Sequence, residues 1–162
     1  MAYVSQEDKK ALTPAIKAVL KKYNMKASIA VRHHSTLVVN IKEGALDILG
    51  AMKRNALQSN HRFDLNDIYE IQRLNYLLEA DHINVNEYWI SENYGKGEVC
   101  NFLTELKSVM EGPGFFNEDD SMTDYFHRSH YIDINVGNWS SPYVCTTGAE
   151  KFEPVQVQGV AA

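Results

Sequence analysis

Cysteine is nearly absent from this sequence: Cys100 and Cys145 are the only two in 162 residues. Each stands alone, with neither a C-x-x-C pair nor a zinc-type spacing around it, which argues against a disulfide scaffold or a cysteine-held metal. Buried or incidental thiols in a reducing compartment are the expected state of both. Long apolar runs are missing too. No window approaches the roughly 18 consecutive apolar residues of a membrane span. The opening MAYVSQEDKK lacks the basic-then-apolar order of a secretion signal, so the chain is expected in the cytoplasm. Glycine-rich phosphate loops are absent as well: Gly95-Lys96-Gly97 is too short for a P-loop, and its expected role is to connect two helices. There is no internal repeat and no low-complexity tract.

Positive charge is scarce in one part of the chain and concentrated in the other. Residues 63–162 carry 5 Lys or Arg against 17 acids, whereas residues 1–62 carry 11 against 4. Such segregation bears on association and partners rather than on fold. Either the two parts pack together and neutralise each other, or the basic part faces a partner. A chain of 162 residues with 44% hydrophobic and 10% aromatic side chains has the makings of one globular core. The expected organisation is a single domain over residues 1–145, followed by a mobile tail, 146–162, that lacks apolar periodicity.

Spacing along the chain predicts the elements. Ser5 with Asp8 three residues later resembles a capping box, and Leu12, Ile16, Val19, Leu20 and Tyr23 recur at helical intervals. Thr13-Pro14 predicts a short turn before residue 13 or a kink there. Lys21 and Lys22 suit the end of that helix, and Asn24 its stop. From Lys26 the period becomes two. Ile29 and Val31, then Leu37, Val39 and Ile41, predict an antiparallel hairpin whose tip is His33-His34-Ser35. Leu46, Leu49 and Met52 suggest a turn or two of helix, with Asn55 to Asp64 as a loop. Helices are predicted over 66–79, over 85–94, and from Val99 to Met110, the last stopped by Gly112-Pro113. Ile132, Ile134 and Val136 alternate with Tyr131, Asp133 and Asn135, which predicts a third strand. The predicted fold is α+β: a three-stranded, mainly antiparallel sheet, made of the N-terminal hairpin and the late strand, covered by helices.

Candidate sites are few. His127, His130 and Asp133 form H-x2-H-x2-D, a set able to ligate zinc or iron if it converges. One strand would point His130 and Asp133 to opposite sides, however, and no metal or other cofactor is expected. His34 beside Ser35 offers a base next to a hydroxyl, although a turn that satisfies its own backbone explains the pair better. Asp119, Asp120 and Asp124 lack the glycine and the final glutamate of an EF-hand loop. Tyr88, Trp89, Tyr94, Phe115, Phe116, Tyr125, Phe126, Tyr131 and Trp139 enrich the later part in aromatics, most of which core packing is expected to claim. Lys10, Lys17 and Lys21 share one helix face and, with Arg32, His33 and His34, form the candidate partner-binding surface.

Several blocks carry a family resemblance. They are Tyr3-Val4-Ser5-Gln6-Glu7-Asp8-Lys9-Lys10 with Pro14-Ala15-Ile16-Lys17, His34-Ser35-Thr36-Leu37-Val38-Val39-Asn40-Ile41, and Met122-Thr123-Asp124-Tyr125-Phe126 with Tyr131-Ile132-Asp133-Ile134-Asn135-Val136-Gly137. Together with Asn86-Glu87-Tyr88-Trp89 and Phe102-Leu103-Thr104-Glu105-Leu106, they resemble a large polyvalent-protein-associated domain family of phages and mobile elements. The resemblance spans residues 3–143, with Leu49 to Asp81 fitting it least. It implies an α+β fold and activity inside a bacterial host cell, and it brings no catalytic residues.

The resulting expectation is a non-catalytic accessory protein that binds and modulates a host or phage macromolecule, such as a defence inhibitor or takeover factor, with a protein as the expected partner. The alternative is a nucleic-acid-binding module using the basic helix face, because helix-strand-strand-helix-helix-strand is also the order of one KH form, although its GXXG clamp is absent in proper form. A metal-dependent hydrolase ranks third. An aromatic patch left unburied in so small a domain would suit a homodimer.

Overall fold

The computed structural model describes residues 2–58, 63–118, 122 and 128–156. Helix α1 (Gln6–Lys22) starts where the sequence places it. Ser5 Oγ accepts the Asp8 N–H at 3.0 Å and the Asp8 carboxylate accepts the Ser5 N–H at 2.9 Å, closing the capping box. The hydrogen bond from the Ser5 backbone holds the Asp8 carboxyl below its ordinary pKa. The helix continues through Pro14, so no separate turn precedes residue 13. The donor that Pro14 lacks is a local loss, and Thr13 adds a hydroxyl bond of 2.6 Å to the Lys9 carbonyl one turn back. Asn24, left-handed at φ 57°, reverses the chain after the helix.

Strands β1 (Met25–Arg32) and β2 (Thr36–Gly44) form the expected hairpin, with Ile29 opposite Val39 and Val31 opposite Leu37. Its tip holds two consecutive left-handed residues, His33 at φ 54° and His34 at φ 57°, and Ser35 N–H closes the turn on Arg32 O. That geometry follows the natural twist of paired strands.

There follow α2 (Ile48–Gln58), α3 (Ile68–Leu78), β3 (Ile83–Val85), α4 (Ile90–Tyr94), α5 (Glu98–Glu111), β4 (Tyr131–Val136) and β5 (Val144–Cys145). The fold is α+β, as expected, but the sheet has five strands rather than three. The main order is β1-β2-β4-β3, and β5 pairs with the end of β2. The late strand β4 runs parallel to β2, because a long crossover through the helices returns the chain in the same direction. Strand β3 is antiparallel to β4, and β5 parallel to β2. The segment expected to be helical from Val85 divides into the end of β3, a turn and the short α4. The polar stretch expected to be a loop instead extends α2 to Gln58. Gly95 to Gly97 joins α4 to α5, as its composition suggests.

One face of the sheet carries the core. Leu37, Val39, Ile41, Ile134 and Val136 meet Ile16 and Leu20 of α1 and Phe102, Leu103, Leu106 and Met110 of α5. Alternation then sends Ser28, Ala30, Arg32, Val38, Asn40, Asp133, Asn135 and Asn84 to the other face. No described helix is long and apolar enough to cross a membrane.

A smaller cluster of Ala56, Leu74 and Leu78 is covered by Phe63, Phe152 and Val155. Residues 146–156, which the sequence suggests belong to a tail, have no regular structure yet make several bonds. Asn75 brackets Val155, accepting its N–H at 2.7 Å and donating to its carbonyl at 3.0 Å. Glu150 N–H bonds to Asp47, and the Glu150 carboxylate pairs with Arg54. Truncation after Cys145 is therefore expected to uncover this cluster and lower stability by roughly 2 kcal/mol. Thermal denaturation checks it, and an unchanged midpoint would mean that these contacts contribute nothing.

Candidate functional site

Positions 10, 17 and 21 are seven and four residues apart, so at about 100° per residue they lie within about 40° of one another around α1. Lys10, Lys17 and Lys21 are all exposed, flanking the face on which Ile16 and Leu20 are buried. None of the three makes an ion pair with a described residue, whereas their neighbour Lys22 reaches Glu105 of α5 at 2.7 Å. The Lys22 hydrogen bond holds the Glu105 carboxyl below the usual carboxylate range. Basic and acidic parts do meet elsewhere, in Arg32–Asp133 and Arg54–Glu150. Neutralisation between the two parts is real but leaves the α1 column free of it.

The hairpin tip divides the other three candidate residues. His33 and His34 are exposed. Arg32 turns onto the outer sheet face and binds Asp133 at 2.9 Å, a carboxylate only 15% exposed. The tip is also tied to the start of α1, since Val4 N–H donates to His34 O at 2.7 Å, and Tyr131 N–H donates to Ser35 O at 2.8 Å. The two histidines and the N-terminal end of the lysine column therefore share one end of the molecule.

Around Arg32 the outer face is a lattice of polar side chains. Asn84 donates to Asp133 and, at 2.8 Å, to Asn135, which in turn donates to Asn40 at 3.1 Å. Each member bonds to another, so this lattice ties β1, β2, β4 and β3 together.

His130 and Asp133 do face opposite ways. His130 is buried, its Nε2 lies 2.9 Å from Met110 O, and Phe115 packs edge-on against its ring at 5.3 Å. A helix-anchoring histidine explains these contacts. His127 lies outside the described residues, as do Asp119, Asp120, Asp124, Tyr125 and Phe126. Among the described residues no three His, Cys, Asp or Glu side chains converge as metal ligands.

Between α1 and β1 runs an open groove of about 700 Å³, lined by Lys9, Lys10, Thr13, Pro14, Lys17 and Ile29. Lys10 and Lys17 thus belong both to the basic column and to a concave surface. Nothing in the spacing of the sequence reveals that concavity, because Ile29 joins it only through the turn at Asn24.

Two further groupings escape sequence reasoning. A cavity of about 250 Å³ brings Asp47, Lys53, Asp81, Tyr143 and Cys145 together. Burial pushes the Lys53 ammonium below its ordinary pKa, against the opposing pull of Asp47 and Asp81. Asp47, however, is occupied as the cap of α2, accepting the N–H groups of Gly50 and Glu150, and Tyr143 OH donates to Leu46 O. The groups brace a junction. Secondly, the aromatics are less buried than composition suggests: Tyr94 is buried, but Tyr88, Trp89, Phe116, Tyr131 and Trp139 are exposed. Arg128 lies over Tyr131 and bonds to Tyr88 OH, and Lys107 lies over Tyr88, so cation–π contacts rather than the core hold part of this set.

Comparison with protein-family models, curated proteins and solved structures finds no match. The geometry of the chain itself is therefore what bears on its function.

Proposed function

We propose that this chain is a non-catalytic binding protein of phage or mobile-element origin, acting in the cytoplasm of a bacterial host cell, that modulates a host or phage protein by docking an acidic surface of that partner on α1. The observation that carries the reading is the column of Lys10, Lys17 and Lys21: co-facing, exposed and without an ion pair among the described residues. A chain with a net charge of -5 that concentrates unpaired positive charge on one helix gains attraction for acidic partners there, and repels them elsewhere. The exposed histidines at the same end extend this surface. Arg32, being held by Asp133, supports the tip.

Replacing Lys10, Lys17 and Lys21 together by glutamate tests the reading. Exposed substitutions of this kind change stability by less than about 0.5 kcal/mol each, so circular dichroism should show an unaltered fold. The charge balance of the face changes by six units, which should slow association and flatten its dependence on salt. Copurification from an expressing bacterial host identifies the partner, and binding at two salt concentrations measures the effect. Unaltered affinity in the folded variant would place recognition elsewhere, on the exposed aromatic surface first. Recovery of nucleic acid alone, with affinity falling steeply in salt, would favour the nucleic-acid reading of the same lysines.

A further inference from the structure

We infer that the groove between α1 and β1 is a strand-addition site for an extended acidic peptide, with carboxylates four residues apart flanking one small apolar residue. The inference rests on the binding reading above and specifies how the partner is held.

Strand β1 is an edge of the sheet: it pairs with β2 on one side, and no described strand lies on the other. Exposed edges are usually protected by lysine, proline, bulges or shortness. The opposite edge, β3, is only three residues long. Strand β1 has eight residues, and its one irregularity falls between Lys26 and Ala27, at its start. From Ala27 to Val31 the edge is Ala-Ser-Ile-Ala-Val, without charge, proline or bulge. Half of its backbone N–H and C=O groups point away from β2, as in any antiparallel edge, and suit another strand.

Beside that edge stands a charged wall. The groove takes an apolar floor from Pro14 and Ile29, basic sides from Lys9, Lys10 and Lys17, and no acid from any residue that lines it. A strand added to β1 directs every second side chain towards α1. Groove-facing residues four apart on such a strand are separated by about 13 Å, and Lys10 and Lys17 are about 10 Å apart along the helix. Flexible lysine stems close the difference. The residue midway between the carboxylates meets Ile29 and Pro14, which calls for a small apolar side chain. Backbone bonds would supply affinity and the alternate side chains specificity, as in other cases of peptide addition to a sheet edge.

A second copy of this chain fits the edge less well. Two-fold pairing of β1 with its mate would set both α1 helices on one face with their lysines approaching, and like charges oppose that. A polynucleotide would meet the lysines but make no use of the strand's amides.

The test uses the full chain and a pool of decapeptides with Asp or Glu, any residue, Ala or Val, any residue, Asp or Glu at the centre. Fluorescence anisotropy should find binders, and their addition should shift the backbone amide resonances of Ala27–Val31. N-methylation of the peptide amides on the β1 side should weaken binding at least about tenfold, while N-methylation of the alternate amides should leave it nearly unchanged. Lys10→Glu with Lys17→Glu should also weaken it about tenfold or more. If charge reversal weakens binding but N-methylation on either set does not, strand addition falls and docking on α1 stands. If no peptide in the pool binds, or a thymidine oligonucleotide of equal charge shifts the same β1 amides, the inference is overturned. If light scattering finds a dimer whose β1 amides are protected from exchange without peptide, the edge belongs to a second copy and the inference is likewise overturned.

Discussion

Ile134→Asp is expected to abolish the cooperative unfolding transition of this protein. Ile134 is 1% exposed in the middle of β4, with Val39 of β2 on one side and Val85 of β3 on the other. A carboxylate there would be enclosed by apolar side chains with no cation to pair it, at several kcal/mol whether it ionises or is forced to stay protonated. Total stability of a domain this size is about 5–15 kcal/mol. A single loss of that order, at the junction of three strands, removes most of it. Ile134→Val keeps the shape and should cost only about 1 kcal/mol. Circular dichroism with urea titration separates the outcomes, and a well-folded aspartate variant would mean that the facing of β4 is wrong.

The second large effect is expected at Phe102. Its side chain is fully buried on the α5 face that meets the sheet, and Tyr23 packs edge-on against it with ring centroids 5.2 Å apart. Truncation to alanine removes the largest fully buried side chain among the described residues and the ring pair together, at about 3–5 kcal/mol. Phe102→Leu retains much of the apolar volume and should lose distinctly less. The urea midpoint of each variant checks the order. Equal losses would mean that the ring pair, rather than the buried volume, holds α1 against α5.

These residues were readable because they lie in long periodic segments. Seventeen residues of α1 repeat their apolar positions at helical spacing, and β4 alternates over its whole length. Strands β3 and β5 have three and two residues, too few for any alternation to show, so two of the five strands were invisible. The parallel pairing of β4 with β2 was hidden for another reason: alternation reports which face a residue takes, and carries no information about the direction of its neighbour. At the site, the lysine column followed from helix geometry alone. The groove did not, because Ile29 and Pro14 meet through tertiary packing. Arg32 looked free for a partner since Asp133, which holds it, sits across the sheet and far along the chain. The aromatic surface is not legible in composition, which counts rings without saying which of them lie beside Arg128 or Lys107.

The parallel pair has a consequence for the order in which this chain acquires its structure. Asn40 and Asn135 are neighbours on the sheet yet 95 residues apart in sequence. At synthesis rates of roughly 5–20 residues per second, the hairpin would leave the ribosome on the order of 5–20 s before the strand that completes it. Until α5 follows, Leu37, Val39 and Ile41 lack half of their helical cover, and through the whole interval the inner edge of β2 stands unpaired. Contacts of such long range also make for slow closure once the chain is released. The nascent protein is thus most exposed to aggregation and to chaperone capture in the period before β4 emerges, and a chain interrupted between α5 and β4 would be left with an open sheet.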